Sequence, residues 1–186
     1  MSLLDPQSTA LVLIDLQNGI VGMNLAPRTG TEVLAAGRDL AGRFRAAGAP
    51  VALIRVGWAA DMADALKQPV DRPSIRQGTL PPDWSELAEG LAQPGDILVT
   101  KRQWGAFYGT DLDLQLRRRD IGTIVLAGIA TNYGVESTAR AAWEHGYAVV
   151  LVEDACASVS AELHDTAVRH IFPRIARVRT TADVAF

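Results

Sequence analysis

The chain is 186 residues long, 48% hydrophobic and 21% charged, with a formal net charge of -3 at pH 7. That size predicts a single domain over residues 1–186, able to bury a core without metal or disulfide staples. The mild acidity argues against nucleic acid and anionic membrane surfaces as partners, no apolar run approaches the roughly 18 residues of a spanning helix, and a lone cysteine, Cys156, excludes an internal disulfide or a Cys-rich metal site.

The opening "MSLLDPQSTALVLIDLQ" lacks the basic stretch of a signal peptide and reaches Asp15 at the end of its apolar run, which predicts a cytoplasmic location. That run, "ALVLID" (10–15), is followed by "PVALIRV" (50–56), "DILVTK" (96–101), "TIVLAG" (123–128), "YAVVLVED" (147–154) and "RIARVRT" (174–180). None alternates as a half-exposed sheet would, so all predict strands covered on both faces. Between the first two, Val33, Leu34, Leu40 and Phe44 recur at helical spacing from Thr31 to Ala47, and Gly48 stops the helix. Residues 57–95 break the rhythm: five prolines (Pro69, Pro73, Pro81, Pro82, Pro94) with Trp58 and Trp84 predict a lid or an oligomer contact, holding at most a short helix around Ser85–Ala92. Further on, Thr110 and Asp111 cap "LDLQLRRR", a helix runs from Gly134 to His145, and Ser160 opens "LHDTAVRHIF", which ends at Pro173. Alternating strands and helices predict right-handed βαβ units around a parallel sheet in a three-layer α/β/α, Rossmann-like domain.

In open parallel sheets ligands bind beyond the carboxyl ends of the strands. There the first strand delivers Asp15 and then Gln17, the third delivers Lys101, and the fourth delivers the small-residue turn "GIATNYG" (128–134) leading into a helix whose positive end favours developing negative charge. Each has an ordinary reading as well: a turn-forming aspartate, a solvated lysine, a glycine that admits close packing. Their convergence on one sheet edge is the signal. Trp104, Phe107 and Tyr108, among Gly105 and Gly109, suit either a pocket for a flat ligand or subunit packing, with pocket favoured for Trp104 and Phe107. Tyr133 either touches substrate or caps the turn, and Asn132 leans towards holding the turn's backbone. Arg28, Arg55 and Arg76 are candidates for a substrate carboxylate or ordinary surface residues, whereas Arg117, Arg118 and Arg119 suit the negative end of a helix.

The blocks "ALVLIDLQNGI" and "VTKRQWGAFYGTDLDLQLRRRDIGTIVLAGIATNYGVESTARAAWEHGYAVVLVEDACAS" resemble the isochorismatase-like hydrolases, or cysteine hydrolase family, which includes nicotinamidases and N-carbamoylsarcosine amidases. "RVGW", "LKQPVD", "LQLRRR" and "RHIFPRIARVRT" are similar to a YecD-like branch, and the resemblance covers nearly the whole chain. It implies a six-stranded parallel sheet of order 3-2-1-4-5-6 and an Asp-Lys-Cys triad. The aspartate falls on Asp15 and the lysine on Lys101, but the nucleophile position, in Thr131-Asn132-Tyr133-Gly134-Val135, holds Gly134. It also implies a cis peptide at Ile129–Ala130, with the amides of Ala130 and Gly134 facing an oxyanion.

Gly134 has no sulfur, so thiol chemistry has nowhere to start. The histidine-rich metal site of some relatives has no counterpart after the second strand, and His145, His164 and His170 read as surface or helix-end residues, so neither metal nor cofactor is expected. Cys156, in apolar "EDACAS", reads as an inert, partly buried thiol, with a nucleophilic role left as a third alternative. The resemblance extends to isochorismatases, which cleave a vinyl ether with an aspartate as general acid and no covalent intermediate. The leading expectation is therefore a hydrolase of a small polar molecule with Asp15 as general acid/base, and with Gln17, Trp104, Phe107, Asn132 and Tyr133 around the substrate. A catalytically silent binding or assembly module is the alternative. A homodimer or homotetramer is the expected assembly.

Overall fold

In the computed structural model, which describes residues 3–72 and 80–186, six parallel strands form one sheet of order β3-β2-β1-β4-β5-β6. They are β1 (Thr9–Ile14), β2 (Val51–Val56), β3 (Ile97–Lys101), β4 (Thr123–Ile129), β5 (Ala148–Ala157) and β6 (Arg177–Arg179). Helices α1 (Asn18–Val21), α2 (Gly30–Ala46), α3 (Leu112–Arg117), α4 (Glu136–Glu144) and α5 (Ala161–Thr166) surround it in a three-layer α/β/α arrangement. The expected fold class and strand order are both present.

The chain leaves β1 towards β2 and β3 on one side and returns to β4, β5 and β6 on the other. The switch point therefore lies between β1 and β4, which run in register from Thr9 opposite Thr123 to Ile14 opposite Gly128. Strand pairing is close there. Gly128 has φ +125, and a Cβ on it would overlap the Ile14 carbonyl oxygen, so only glycine fits.

Central strands β1 and β4 are buried along almost their whole length, as expected of a doubly covered sheet. The edges differ. Strand β3 alternates buried and exposed residues, with Leu98 in solvent, and β6 is short and largely exposed, because an edge strand lacks a neighbour to shield it. Helix α2 begins one residue before the spacing suggests: Thr29 is its cap, accepting from the Glu32 amide while Glu32 Oε2 accepts from the Thr29 amide at 2.8 Å. For α3 the capping group is Thr110, whose hydroxyl accepts from the Leu112 amide at 3.2 Å, while Asp111 makes no side-chain cap.

No helix forms around Ser85–Ala92. Gly90 takes φ +73, Leu87 makes an antiparallel bridge to Gln17, and the Ala88 amide donates to the Leu16 carbonyl at 3.0 Å. This part of the insertion is an irregular strap laid across the end of β1 and pinned by buried Ala88 and Leu91. Trp84 supports it, its ring tilted against that of Trp58 with centroids 5.7 Å apart. Among the described residues no helix is long and apolar enough to cross a membrane.

Candidate functional site

Asp15 follows β1 with φ +54, a left-handed conformation that aspartate tolerates better than most residues, and its amide still donates to the Ile54 carbonyl at 2.8 Å. That kink takes its carboxyl out of the alternation of the strand and over the sheet edge. Lys101 ends β3, two strands from β1, a lateral separation of roughly 10 Å. Only a long side chain spans it. Lys101 Nζ donates to Asp15 Oδ2 at 2.7 Å and to the Trp104 carbonyl at 2.8 Å.

Both charges are withdrawn from water, Asp15 being 6% exposed and Lys101 2%. Burial lifts the Asp15 pKa from 3.8 to about 6, against the opposing charge and hydrogen bond of Lys101. Among the described residues, Asp15 Oδ1 is buried without a hydrogen-bond partner. Orphaned acceptors of this kind are rare in native interiors, and one placed at a switch point is poised for a ligand or water.

The third component follows β4. The Ile129–Ala130 peptide is cis, and Thr131–Val135 is wound as a wide π turn, with the Val135 amide reaching back to the Ala130 carbonyl at 3.2 Å before α4 begins. Gly134 sits on this turn, buried. A Cβ built on it would stand 3.3 Å from both Asp15 Oδ2 and Lys101 Nζ, and 3.1 Å from Ile14 Cγ2. Asp15, Lys101 and Gly134 thus come together at one point.

The other expected residues divide. Trp104 contributes its carbonyl to Lys101, and the residue, 49% exposed, packs its ring 4.8 Å from that of Tyr133. A depression of about 340 Å³ lies beside Trp104, lined by Leu66, Gln103, Trp104 and Gly105. Gln17 is fully buried and spends its amide on backbone: Nε2 donates to the Val56 and Trp84 carbonyls, and Oε1 accepts from the Val56 amide at 2.8 Å. It staples β1, β2 and the strap together and has no polar group left for substrate. Phe107 is buried, its ring lying against His145 and Tyr147 at 5.2 and 5.7 Å. Asn132 Oδ1 accepts from the Ser158 hydroxyl, which fixes the turn to the end of β5.

Arg28 and Arg55 already have partners, Arg28 with Glu153 and Arg55 with the Thr100 hydroxyl, and Arg76 lies outside the described residues. Cys156 is fully buried beneath the sheet edge, and burial pushes its thiol up to about 12, which removes the thiolate a nucleophile needs.

Two contributors escaped the sequence reading. Thr138 is buried and donates its hydroxyl to the Gly134 carbonyl at 2.7 Å while accepting from the Ala106 amide at 3.2 Å, tying the turn to the loop after Lys101. Its signal was faint, a polar residue on the small-residue face of α4, one turn beyond Gly134. His164 is the other. Instead of lying at the surface it is 2% exposed, with Nδ1 2.8 Å from the Thr131 hydroxyl.

This arrangement has known counterparts. The isochorismatase domain family matches residues 9–183. The chain is 57% identical over 182 residues to the isochorismatase family protein YecD of Escherichia coli O157:H7, covering 97% of this chain and 96% of that one. It is 34% identical over 179 residues to the ureidoacrylate amidohydrolase RutB of Rhizobium rhizogenes, covering 82% and 71%. A solved isochorismatase family protein from Burkholderia thailandensis superposes with a TM-score of 0.93 at 50% identity, covering 98% and 95%. The chain belongs to the isochorismatase family, whose members are generally hydrolases.

Proposed function

We propose that the protein hydrolyses a small polar molecule with Asp15 as the proton-transfer group and without a covalent enzyme intermediate. The observation that carries this reading is the pairing of a buried, partnerless Asp15 Oδ1 with a glycine at the position where a side chain would meet both Asp15 and Lys101. Gly134 stands where the family resemblance puts a cysteine nucleophile, so any bond cleavage falls to Asp15 and water.

A pKa of about 6 suits both directions of transfer near neutrality, since the carboxyl gives up a proton readily and takes one back. With a vinyl ether, Asp15 protonates the terminal alkene carbon. Water adds to the resulting oxocarbenium ion and returns its proton to the Asp15 carboxylate. The hemiketal then collapses to a carbonyl compound and an alcohol. Lys101 holds Asp15 in place and offsets its charge once the proton has left. With an amide or carbamoyl compound, where negative charge develops on the former carbonyl oxygen, we assign the amides of Ala130 and Gly134, on the turn that leads into α4, as its donors. Trp104 and Tyr133 flank the substrate, while Gln17, Phe107 and Asn132 brace the walls behind it.

The relative RutB is named for an amidohydrolase activity, so amides and carbamoyl compounds belong in the same screen as vinyl ethers. The test is that screen followed by intact-protein mass measurement during turnover. Turnover with no mass adduct is the expected result. An adduct on the protein during turnover overturns the non-covalent route.

A further inference from the structure

The turn that carries Gly134 is held from behind by a chain of polar groups, buried at Thr131 and His164 and half-buried at Glu153 and Arg28. Thr131, fully buried, places its hydroxyl 2.8 Å from His164 Nδ1. His164 Nε2 lies 3.6 Å from Glu153 Oε2, and Glu153 Oε2 accepts from Arg28 Nη2 at 3.3 Å. Arg28 Nη1 also donates to the Glu153 carbonyl at 3.1 Å, so the far end of the chain is anchored to β5. Burial and the nearby Arg28 hold the His164 pKa below its ordinary value, with Glu153 and Asp165 opposing them, so the ring is neutral at neutral pH. The carboxylate on the Nε2 side assigns the proton to that nitrogen and leaves Nδ1 to accept from Thr131.

We propose that His164 is a positioning residue for the candidate site: through Thr131 it fixes the π turn that sets Gly134 against Asp15 and Lys101. Two observations give it this role rather than that of a core filler. Its partner is the first residue of the turn, three positions before Gly134. Its helix turns His164 inward while leaving the apolar Leu163 exposed, which costs burial of a hydrophobe and makes sense only if the imidazole's hydrogen bond is the purpose. Asn132 is bonded to Ser158 on the same side, so the chain segment between the cis peptide and Gly134 is clamped at two successive residues.

The inference rests on reading this turn as the site, but its test needs no substrate. Amide hydrogen exchange is measured across residues 130–135 and across β1 and β5, in wild type, His164→Leu, His164→Asn and Thr131→Val. Asparagine places an acceptor where Nδ1 stands; leucine does not. His164→Leu and Thr131→Val are expected to speed exchange in the turn by about tenfold, the equivalent of one buried hydrogen bond, with β1 and β5 unchanged and His164→Asn close to wild type. Should the leucine variant not fold, Thr131→Val removes the same bond from the other end. A companion readout is alkylation by iodoacetamide of a Gly134→Cys protein, expected to slow by about fivefold or more when His164→Leu is added and to recover with His164→Asn. Unchanged turn exchange in Thr131→Val overturns the proposal. So does equal acceleration in β1 and β5, or an asparagine variant no better than leucine. Lack of turnover on every compound screened would count against the proposed function and leave these results standing.

Discussion

A Cβ on Gly134 would lie 3.3 Å from Asp15 Oδ2, so the two residues meet at a point where the chain supplies a carboxyl and no nucleophile. Gly134 has no strained backbone angle that demands glycine, unlike Gly128. A side chain at 134 meets Ile14, Asp15 and Lys101 within 3.1 to 3.3 Å, contacts tight enough to require small shifts. The predicted consequence is that Gly134→Cys folds at a cost of about 1–3 kcal/mol, read by urea unfolding. Its thiol, next to Lys101, should react with iodoacetamide well below the pH a free cysteine needs.

Cys156 provides the contrast. Native protein should leave it unalkylated at pH 8, and unfolding in urea should expose it, because burial holds its thiol at about 12. Rapid labelling of the native protein at Cys156 would contradict the placement of that sulfur beneath the sheet edge.

Gly128→Ala tests the β1–β4 approach. Its Cβ would overlap the Ile14 carbonyl at a φ of +125, so both sterics and backbone conformation oppose it. A loss of about 3 kcal/mol or more is expected, against about 1 kcal/mol for an ordinary strand substitution. A loss near the lower figure would mean that the strands are spaced differently at the switch point.

The Asp15 carboxyl makes stability depend on pH in a definite direction. Its pKa is raised from 3.8 to about 6 on folding, so between these values the native state holds a proton that the unfolded state has released. Stability contributed by Asp15 is therefore present below the lower value and declines as pH rises through the window, by on the order of 3 kcal/mol in total. Compared with Asp15→Asn, which does not titrate, wild type should lose most of this, roughly 2 kcal/mol of relative stability, between pH 4 and pH 7 in parallel urea titrations. A relative gain would mean that Lys101, not burial, dominates the carboxyl. Lys101→Met removes the cation and should move the Asp15 midpoint, followed by carboxyl carbon NMR, higher still.

Much of this architecture was legible from the residues. Six apolar runs placed the strands, and the strand-end rule brought Asp15, Lys101 and Gly134 to one edge because parallel strands align their carboxyl ends. What remained hidden depends on contacts far apart in sequence. Leu87, Ala88 and Leu91 carry a helical spacing, yet Gly90 and the backbone bonds to Leu16 and Gln17 draw that segment into a strap. Gln17 looked like a ligand group because its position beside Asp15 says nothing of Val56 and Trp84, which claim its amide. His164 reads as a surface or helix-end residue because its partners, Thr131 and Glu153, are distant in sequence. Its inward direction shows only through Ala167, buried on the same helix face three residues on.

The central claim is that Asp15 carries the proton and that no side chain of the enzyme attacks. It is tested most directly by comparing kcat/KM of wild type and Asp15→Asn, across pH 5 to 9, on the substrate the screen returns. A fall of about 100-fold or more is expected in the variant, and for a vinyl ether a wild-type activity that declines above the Asp15 pKa of about 6. Full turnover by Asp15→Asn, with the same pH profile as wild type, would contradict it.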